Sequence, residues 1–521
     1  MGKLLGLMLL FAIYPSVFAL YREECNATVQ NLLLENVLQA TDNTTFYTNK
    51  SGYIMSDPRN LILTLDGCNR LCGAPKQWYK DIGPRFNVWL IPVILLIVNI
   101  EVSPFDKRKY YTILHLLGDP IDSLWSLLSK VEAWSRCYVL AQEHYDQDTS
   151  SSYTPSDVKI LATILGGIEE IVGTQTDPLL IFNRYVPARK RAELSKQISI
   201  TAYRLADSRT DDLVRTAFAV ILYFYQTISG FLSVLGGGNS SPPRGRIGTA
   251  MFLTWLVPCV LLSNSVGGFS SRTSCFDIIR DLCEYVCTEM HEESSRSENH
   301  ASILFHLLRN EDEYFKDRGR NAAVYTYIRQ KGPTFEARRK NHSQLHLFIV
   351  AILPLITASF FGSCILWNTP PNGLNCRNIM IIMITIIWFL SAFLTWSIAK
   401  IQWFQEQTHW YLILTKDAVI AIPCIVVLFL SSAGLFNSCY CWSGVLYLGQ
   451  SQAHVPLNAN EVFEYNNRRL YPGLVAGCLS MQILIFAYII FIGNRGLKVM
   501  RWSGKEKSSL HKTLLELHRA S

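Results

Sequence analysis

Apolar residues in this chain come in long blocks separated by polar stretches, rather than at the short periods of a soluble domain. Seven blocks stand out: 86–102, 213–235, 247–269, 345–367, 379–401, 418–436 and 472–493. Each approaches the roughly 20 residues that a helix needs to cross about 30 Å of hydrocarbon, and charged side chains are nearly absent from them. The pattern predicts an all-α polytopic membrane protein with about seven transmembrane helices and helical loops. In the first block Asn87, Pro92 and Asn99 interrupt the run and Glu101 ends it. An eighth apolar stretch, 158–172, is too short to span. Its Ile160, Ile164, Ile168 and Ile171 recur at helical spacing, which predicts a helix packed on a domain or lying on the membrane surface.

The remainder divides around these blocks. Residues 1–20, with Lys3 before an apolar core, read as a secretory signal peptide. Residues 21–85 form a polar, cysteine-containing segment, 86–102 the first span, and 103–212 a helical cytoplasmic segment. A hairpin of two spans over 213–269 follows, then a charged cytoplasmic segment (270–344), four spans (345–493) and a basic tail (494–521). In 103–212, Asp119 and Pro120 make a helix start followed by a stripe of Ile121, Leu124, Trp125, Leu128 and Val131. Arg189, Lys190 and Arg191 precede a second stripe of Leu194, Ile198, Ala202 and Leu205, suited either to an anionic membrane surface or to a solvated helix.

Composition changes this picture little. Of 521 residues, 49% are hydrophobic and only 17% charged, which excludes a string of soluble domains. The formal net charge of +7 is spread over loops and tails, so it points to lipid headgroups and not to nucleic acid. Lys107, Arg108 and Lys109, then Arg338, Arg339 and Lys340, then the cluster from Arg495 to Lys507, all fall on one side if the amino terminus is outside and the carboxyl terminus cytoplasmic. Arg244, Arg246, Arg468 and Arg469 are exceptions. The plasma membrane, reached through the secretory pathway, is the expected location.

That orientation sorts the cysteines and sugar acceptors. Cys25, Cys68, Cys72, Cys376, Cys439 and Cys441 map to outer segments, an even number able to pair in every connectivity. Asn26, Asn43 and Asn49 head Asn-x-Ser/Thr triplets in the same outer segment and are the expected glycosylation sites.

Chemistry is sparse by comparison. Cys283, Cys287 and His291 share a helical spacing, yet zinc sites draw four ligands from short knuckles or separate elements, so no metal and no cofactor are expected. Asp119 and Asp122 could in principle hold a cation, but a capping role suits Asp119 better. Lys416 and Asp417 stand at the edge of the sixth span, where they are expected to face water. Gln226, Asn264 and Gln482 are the uncharged polar residues placed to bond between helices. With ionisable groups nearly absent at depth, an ion-coupled transporter lacks its usual signature. No catalytic constellation is visible, so an enzyme is not expected.

The segment Leu117-Gly118-Asp119-Pro120-Ile121-Asp122-Ser123-Leu124-Trp125, in a chain with a signal peptide, a short cysteine-containing ectodomain and several spans, resembles a family of fungal multi-pass membrane proteins of unknown function. The resemblance implies no activity and no site residues. Seven spans with an outer amino terminus are similar to seven-helix receptors in topology alone, since neither an Asp/Glu-Arg-Tyr nor an Asn-Pro-x-x-Tyr motif is present. The expected function is a non-enzymatic membrane sensor or scaffold that binds a cytoplasmic partner through 103–212 and 270–344. The alternative is a transporter or channel for a small uncharged or lipidic solute.

Overall fold

The structure is a computed structural model. It describes residues 22–38, 42, 44–47, 62–72, 90–100, 109–147, 154–172, 191–209, 213–235, 244–267, 274–290, 343–369, 372–400, 406–433, 436, 438–457, 469–510 and 512. In chain order the elements are α1 (Arg22–Leu34), β1 (Ile62–Thr64), α2 (Leu65–Cys72), α3 (Leu90–Val98), α4 (Lys109–Gly118), α5 (Pro120–Gln147), α6 (Pro155–Val172), α7 (Arg191–Asp207), α8 (Leu213–Leu235), α9 (Arg244–Phe252) and, across a 3₁₀ turn at Leu253–Trp255, α10 (Leu256–Val266). Then come α11 (Ser274–Met290), α12 (Gln344–Trp367), α13 (Cys376–Lys400), α14 (Glu406–Ala433), α15 (Cys439–Trp442), α16 (Val445–Leu448), β2 (His454–Pro456) and α17 (Tyr471–Met500).

Among the described residues, five helical segments are long and apolar enough to cross a membrane: Ile247–Val266, Gln344–Trp367, Cys376–Ile398, Tyr411–Ser431 and Tyr471–Leu510. Four of them leave large apolar side chains outside, such as Leu345, Ile349, Ile356 and Phe360 on α12 and Ile382, Ile386, Leu390 and Phe393 on α13. Whole helix faces of this kind are stable against lipid and not against water, so the chain is a membrane-embedded, all-α protein. The other two expected spans are less complete. The described part of the first is the nine-residue α3, and in α8 the apolar helical stretch is Thr216–Tyr225.

The α9–α10 segment is the axis of the bundle and is nearly all buried. Lipid chains are as apolar as leucine, so helices associate here by close packing and polar contacts instead of by escape from water. Gly362 of α12 lies against Gly248 of α9, and a Cβ on Gly362 would meet the Gly248 carbonyl oxygen at 3.0 Å. In the middle, Gln482 of α17 donates from Nε2 to the Pro354 carbonyl oxygen (2.9 Å), a carbonyl in the helix that carries an internal proline. Asn264 donates to the Asn99 carbonyl oxygen at 2.7 Å, joining the ends of α10 and α3. Two of the three polar residues expected to bond between helices do so. The side chain of the third, Gln226, lies outside the described residues.

One end of the bundle carries a disulfide cap. Cys25–Cys72 ties α1 to α2, Cys68–Cys439 ties α2 to α15, and Cys376–Cys441 ties the start of α13 to α15. Strands β1 and β2 pair antiparallel with Leu63 opposite Val455, over a small core containing Phe46 and Trp442. All six cysteines grouped by the sequence are therefore bonded within one structural unit. Asn26 lies half-buried in α1 beside the bonded Cys25. Asn43 and Asn49, like the signal segment, lie outside the described residues.

A three-helix unit of α6, α7 and α11 sits at the other end. Ile160, Ile164, Ile168, Leu194, Leu205 and Phe276 are among the residues of its core. The isoleucine periodicity of 158–172 thus serves protein packing, and so does the stripe that follows Arg191, with Ile198 at its edge. Cys283 is buried in the same core, while the Cys287 side chain and His291 lie outside the described residues.

Candidate functional site

Helices α4 and α5 meet at Asp119 in a bent helix pair, the hairpin of this protein, with i→i−4 bonds carried across the bend from the Asp119 N–H to the His115 carbonyl (2.6 Å) and from the Ser123 N–H to the Asp119 carbonyl (3.1 Å), and its local logic is legible. Gly118 closes α4, Asp119 caps α5 by accepting from the Asp122 N–H at its Oδ1 (3.0 Å), and Pro120 occupies the first turn, where no N–H is needed. The tip is pushed between α13 and α14. The Leu117 carbonyl accepts from Trp388 Nε1 at 2.9 Å. Trp388 comes twelve residues after Cys376 and ten before Ile398 in its candidate span. Thr395 and Ser391, whose hydroxyls meet the charges at the tip, come three and seven residues before Ile398, and Lys416 comes five residues after Tyr411, so at 1.5 Å per residue the tip and its charges lie roughly 5–15 Å inside the apolar stretch. Trp388 is itself held by Phe252, stacked at 5.3 Å, and by the edge of Trp255.

Gly118 makes this insertion possible. A Cβ there would lie 2.7 Å from the Asp417 carbonyl oxygen and 2.9 Å from its Cα, so only glycine lets the tip touch the α14 backbone. From the tip, α5 runs past the neighbouring helices: Trp125 meets the edge of Phe348 near the start of α12, and Val131 packs on Gly493 of α17. At Gly496 a Cβ would collide with the Val131 carbonyl oxygen, which makes Gly493 and Gly496 the close-approach surface of α17. The expectation of one apolar stripe on α5 needs correction, because Ser123, Ser126, Ser129, Lys130, Glu132 and Arg136 are buried along with it. Neighbours cover this helix on all sides, and Arg136 is paired with Glu169 of α6, which also accepts from the Cys137 thiol at 3.1 Å.

Around the tip lies a network of ionisable groups. Lys416 Nζ is 2.8 Å from Asp119 Oδ2, 2.7 Å from Asp417 Oδ1 and 2.7 Å from Ser391 Oγ. Thr395 donates to Asp119 Oδ2 at 2.6 Å. His115 of α4 sits between two carboxyls, with Nδ1 2.7 Å from Asp417 Oδ2 and Nε2 3.3 Å from Asp122 Oδ2. The second separation is that of an ion pair and not of a directed hydrogen bond.

The expectation that Lys416 and Asp417 face water is overturned. Their side chains are 6% and 0% exposed, because α4 covers the face of α14 that composition alone would assign to solvent. Asp119 does cap its helix, and its second oxygen serves Lys416 and Thr395. His115, Ser391 and Thr395 were not legible as site residues, since each is a lone polar residue in an apolar run. The available signal was the spacing of His115, Asp119 and Asp122, which puts all three around a helix break, together with the adjacent Lys416–Asp417 pair. Among the described residues, no group of three His, Cys, Asp or Glu is arranged to hold a metal ion.

No family model, no curated protein and no solved structure matches the chain.

Proposed function

We propose that the protein is an ion-coupled transporter for a small solute, with the α4–α5 hairpin as its moving element. The observation that carries this reading is the buried network of His115, Asp119, Asp122, Lys416 and Asp417 at a helix break inside the apolar stretch. Charges at such depth are costly and mark ion or substrate paths, and non-helical backbone there is tolerated where protein or a water-filled cavity surrounds it. The proline carbonyl in α12, which accepts from Gln482, is further polar backbone at depth, of the kind that transporters place at their sites.

In this reading the chain crosses seven times. Segments α3, α9–α10, α13 and α17 run from the cap to the hairpin end, and α8, α12 and α14 return. The cap lies outside, where disulfides persist, and the hairpin end with its flanking basic clusters faces the cytoplasm of a plasma-membrane protein. The likeness to the fungal family of unknown function belongs to the same proposal and assigns no solute. This reading is preferred to the sensor-or-scaffold expectation, which rested on uncharged spans and large charged inner loops.

The test is side-specific labelling of Leu117→Cys with a membrane-impermeant maleimide in oriented vesicles. A transporter hairpin reacts from one face, and the extent changes when a Na⁺, K⁺ or H⁺ gradient is imposed. A tip unreactive from both faces under every gradient would make the network a static lock and the protein a scaffold.

A further inference from the structure

We propose that the hairpin tip is a proton-binding site, with the proton shared among His115, Asp417 and Asp122, and that this proton is the coupling ion of the transport reading above. A neutral imidazole has one N–H and one lone pair. Here both ring nitrogens face carboxyl oxygens, at 2.7 Å and 3.3 Å, and the histidine side chain has no exposed surface. Were the imidazole neutral and all the carboxyls ionised, the buried joint would hold the carboxylates of Asp119, Asp122 and Asp417 against the single ammonium of Lys416, with Nε2 beside the Asp122 carboxylate and making no hydrogen bond to it. The triad therefore holds one proton more than that state. It resides on the ring, giving imidazolium between two carboxylates, or on one carboxyl, giving an acid that donates to the ring.

The surroundings decide what losing that proton does. From α14, Lys416 lies against the other oxygen of Asp417 and keeps that carboxyl anionic; from α5, Asp119 neutralises the same ammonium; from α13, Ser391 and Thr395 supply hydroxyls. Asp417 is thus anchored whether or not His115 is charged. Departure of the proton to water leaves a neutral ring whose one remaining N–H can still donate to Asp417, so the attraction between α4 and Asp417 weakens and the His115–Asp122 contact becomes repulsive. The hairpin tip then holds α14 less tightly while the Lys416–Asp119 pair still secures the start of α5. A proton bound or released at one imidazole is converted into tip docking or undocking.

Solid-state ¹⁵N spectra of histidine-labelled full-length protein in liposomes, wild type minus His115→Gln, isolate the ring. The expected result is two protonated ring nitrogens, or one protonated nitrogen together with a carboxylic-acid C=O band that disappears in Asp122→Asn or Asp417→Asn. Potentiometric titration between about pH 5 and about pH 9 should show about one fewer bound proton per chain in His115→Gln. If His115→Gln does not fold, Asp122→Asn leaves the ring in place and should remove the second ring proton or the acid band from the spectra. A neutral ring with no such C=O band across that range overturns the proposal. The two readings fail separately: a protonated triad with an unreactive Leu117→Cys keeps this site and removes transport, and a neutral ring with gradient-dependent labelling does the reverse.

Discussion

The two ends of this bundle are held by opposite kinds of bond. At the cap, three disulfides join α1, α2, α13 and α15. One of them, Cys68–Cys439, closes a sequence separation of 371 residues. At the hairpin end nothing covalent joins α4 and α5 to α13 and α14; the joint consists of a lysine, an imidazole, three carboxyls and two hydroxyls. Covalent links are indifferent to protons and ions, whereas a buried ionic joint changes strength when one partner gains or loses charge. A molecule built this way has one end that stays and one that can be released, and the releasable end contains the candidate site.

Removing one charge from the hairpin joint should have the largest effect. Lys416→Met leaves Asp119 and Asp417 buried without their ammonium, so it should destabilise the protein by about 3–5 kcal/mol, read from the midpoint of denaturing-detergent unfolding in mixed micelles. Adding Asp119→Asn should recover part of that loss, as expected for coupled partners. An additive double variant would mean that the two side chains do not act as a pair.

Cutting the cap comes next. Cys68→Ser should cost roughly 2–4 kcal/mol by the same assay. It should raise hydrogen exchange over 62–72 while exchange over α4 and α5 is unchanged. Equal loosening at both ends would erase the contrast drawn here.

The smallest effect concerns Asp42 in the cap. Its carboxylate accepts from the hydroxyls of Thr45 and Thr44 and from the Thr44 N–H, and these bonds hold its pKa at about 2 against an ordinary 3.8. Because the folded value is the lower one, the contribution is complete above the ordinary value and disappears as pH falls from there toward about 2. Exchange protection of Thr44 and Thr45 should follow that acid window in the wild type and be flat in Asp42→Asn.

Much of this architecture was readable from residue order alone. Block hydrophobicity locates the spans because a bilayer selects on length and apolarity, properties local to each segment. The same holds for the α5 start, written in Asp119 and Pro120, and for the isoleucine spacing of α6. Pairing is different, since it depends on what lies opposite. Lys416 and Asp417 looked solvent-facing because nothing near them in sequence announces α4, about 300 positions away. His115 looked incidental for the same reason.

Residue order by itself thus determined that the chain enters a membrane, which stretches are apolar enough to cross it, and which cysteines belong together. Tertiary structure decided which cysteine bonds to which, that α5 is enclosed instead of amphipathic, and that five ionisable side chains converge at one helix break. Burial and ion pairing are properties of the distance between segments, and that distance exists only once the helices have packed.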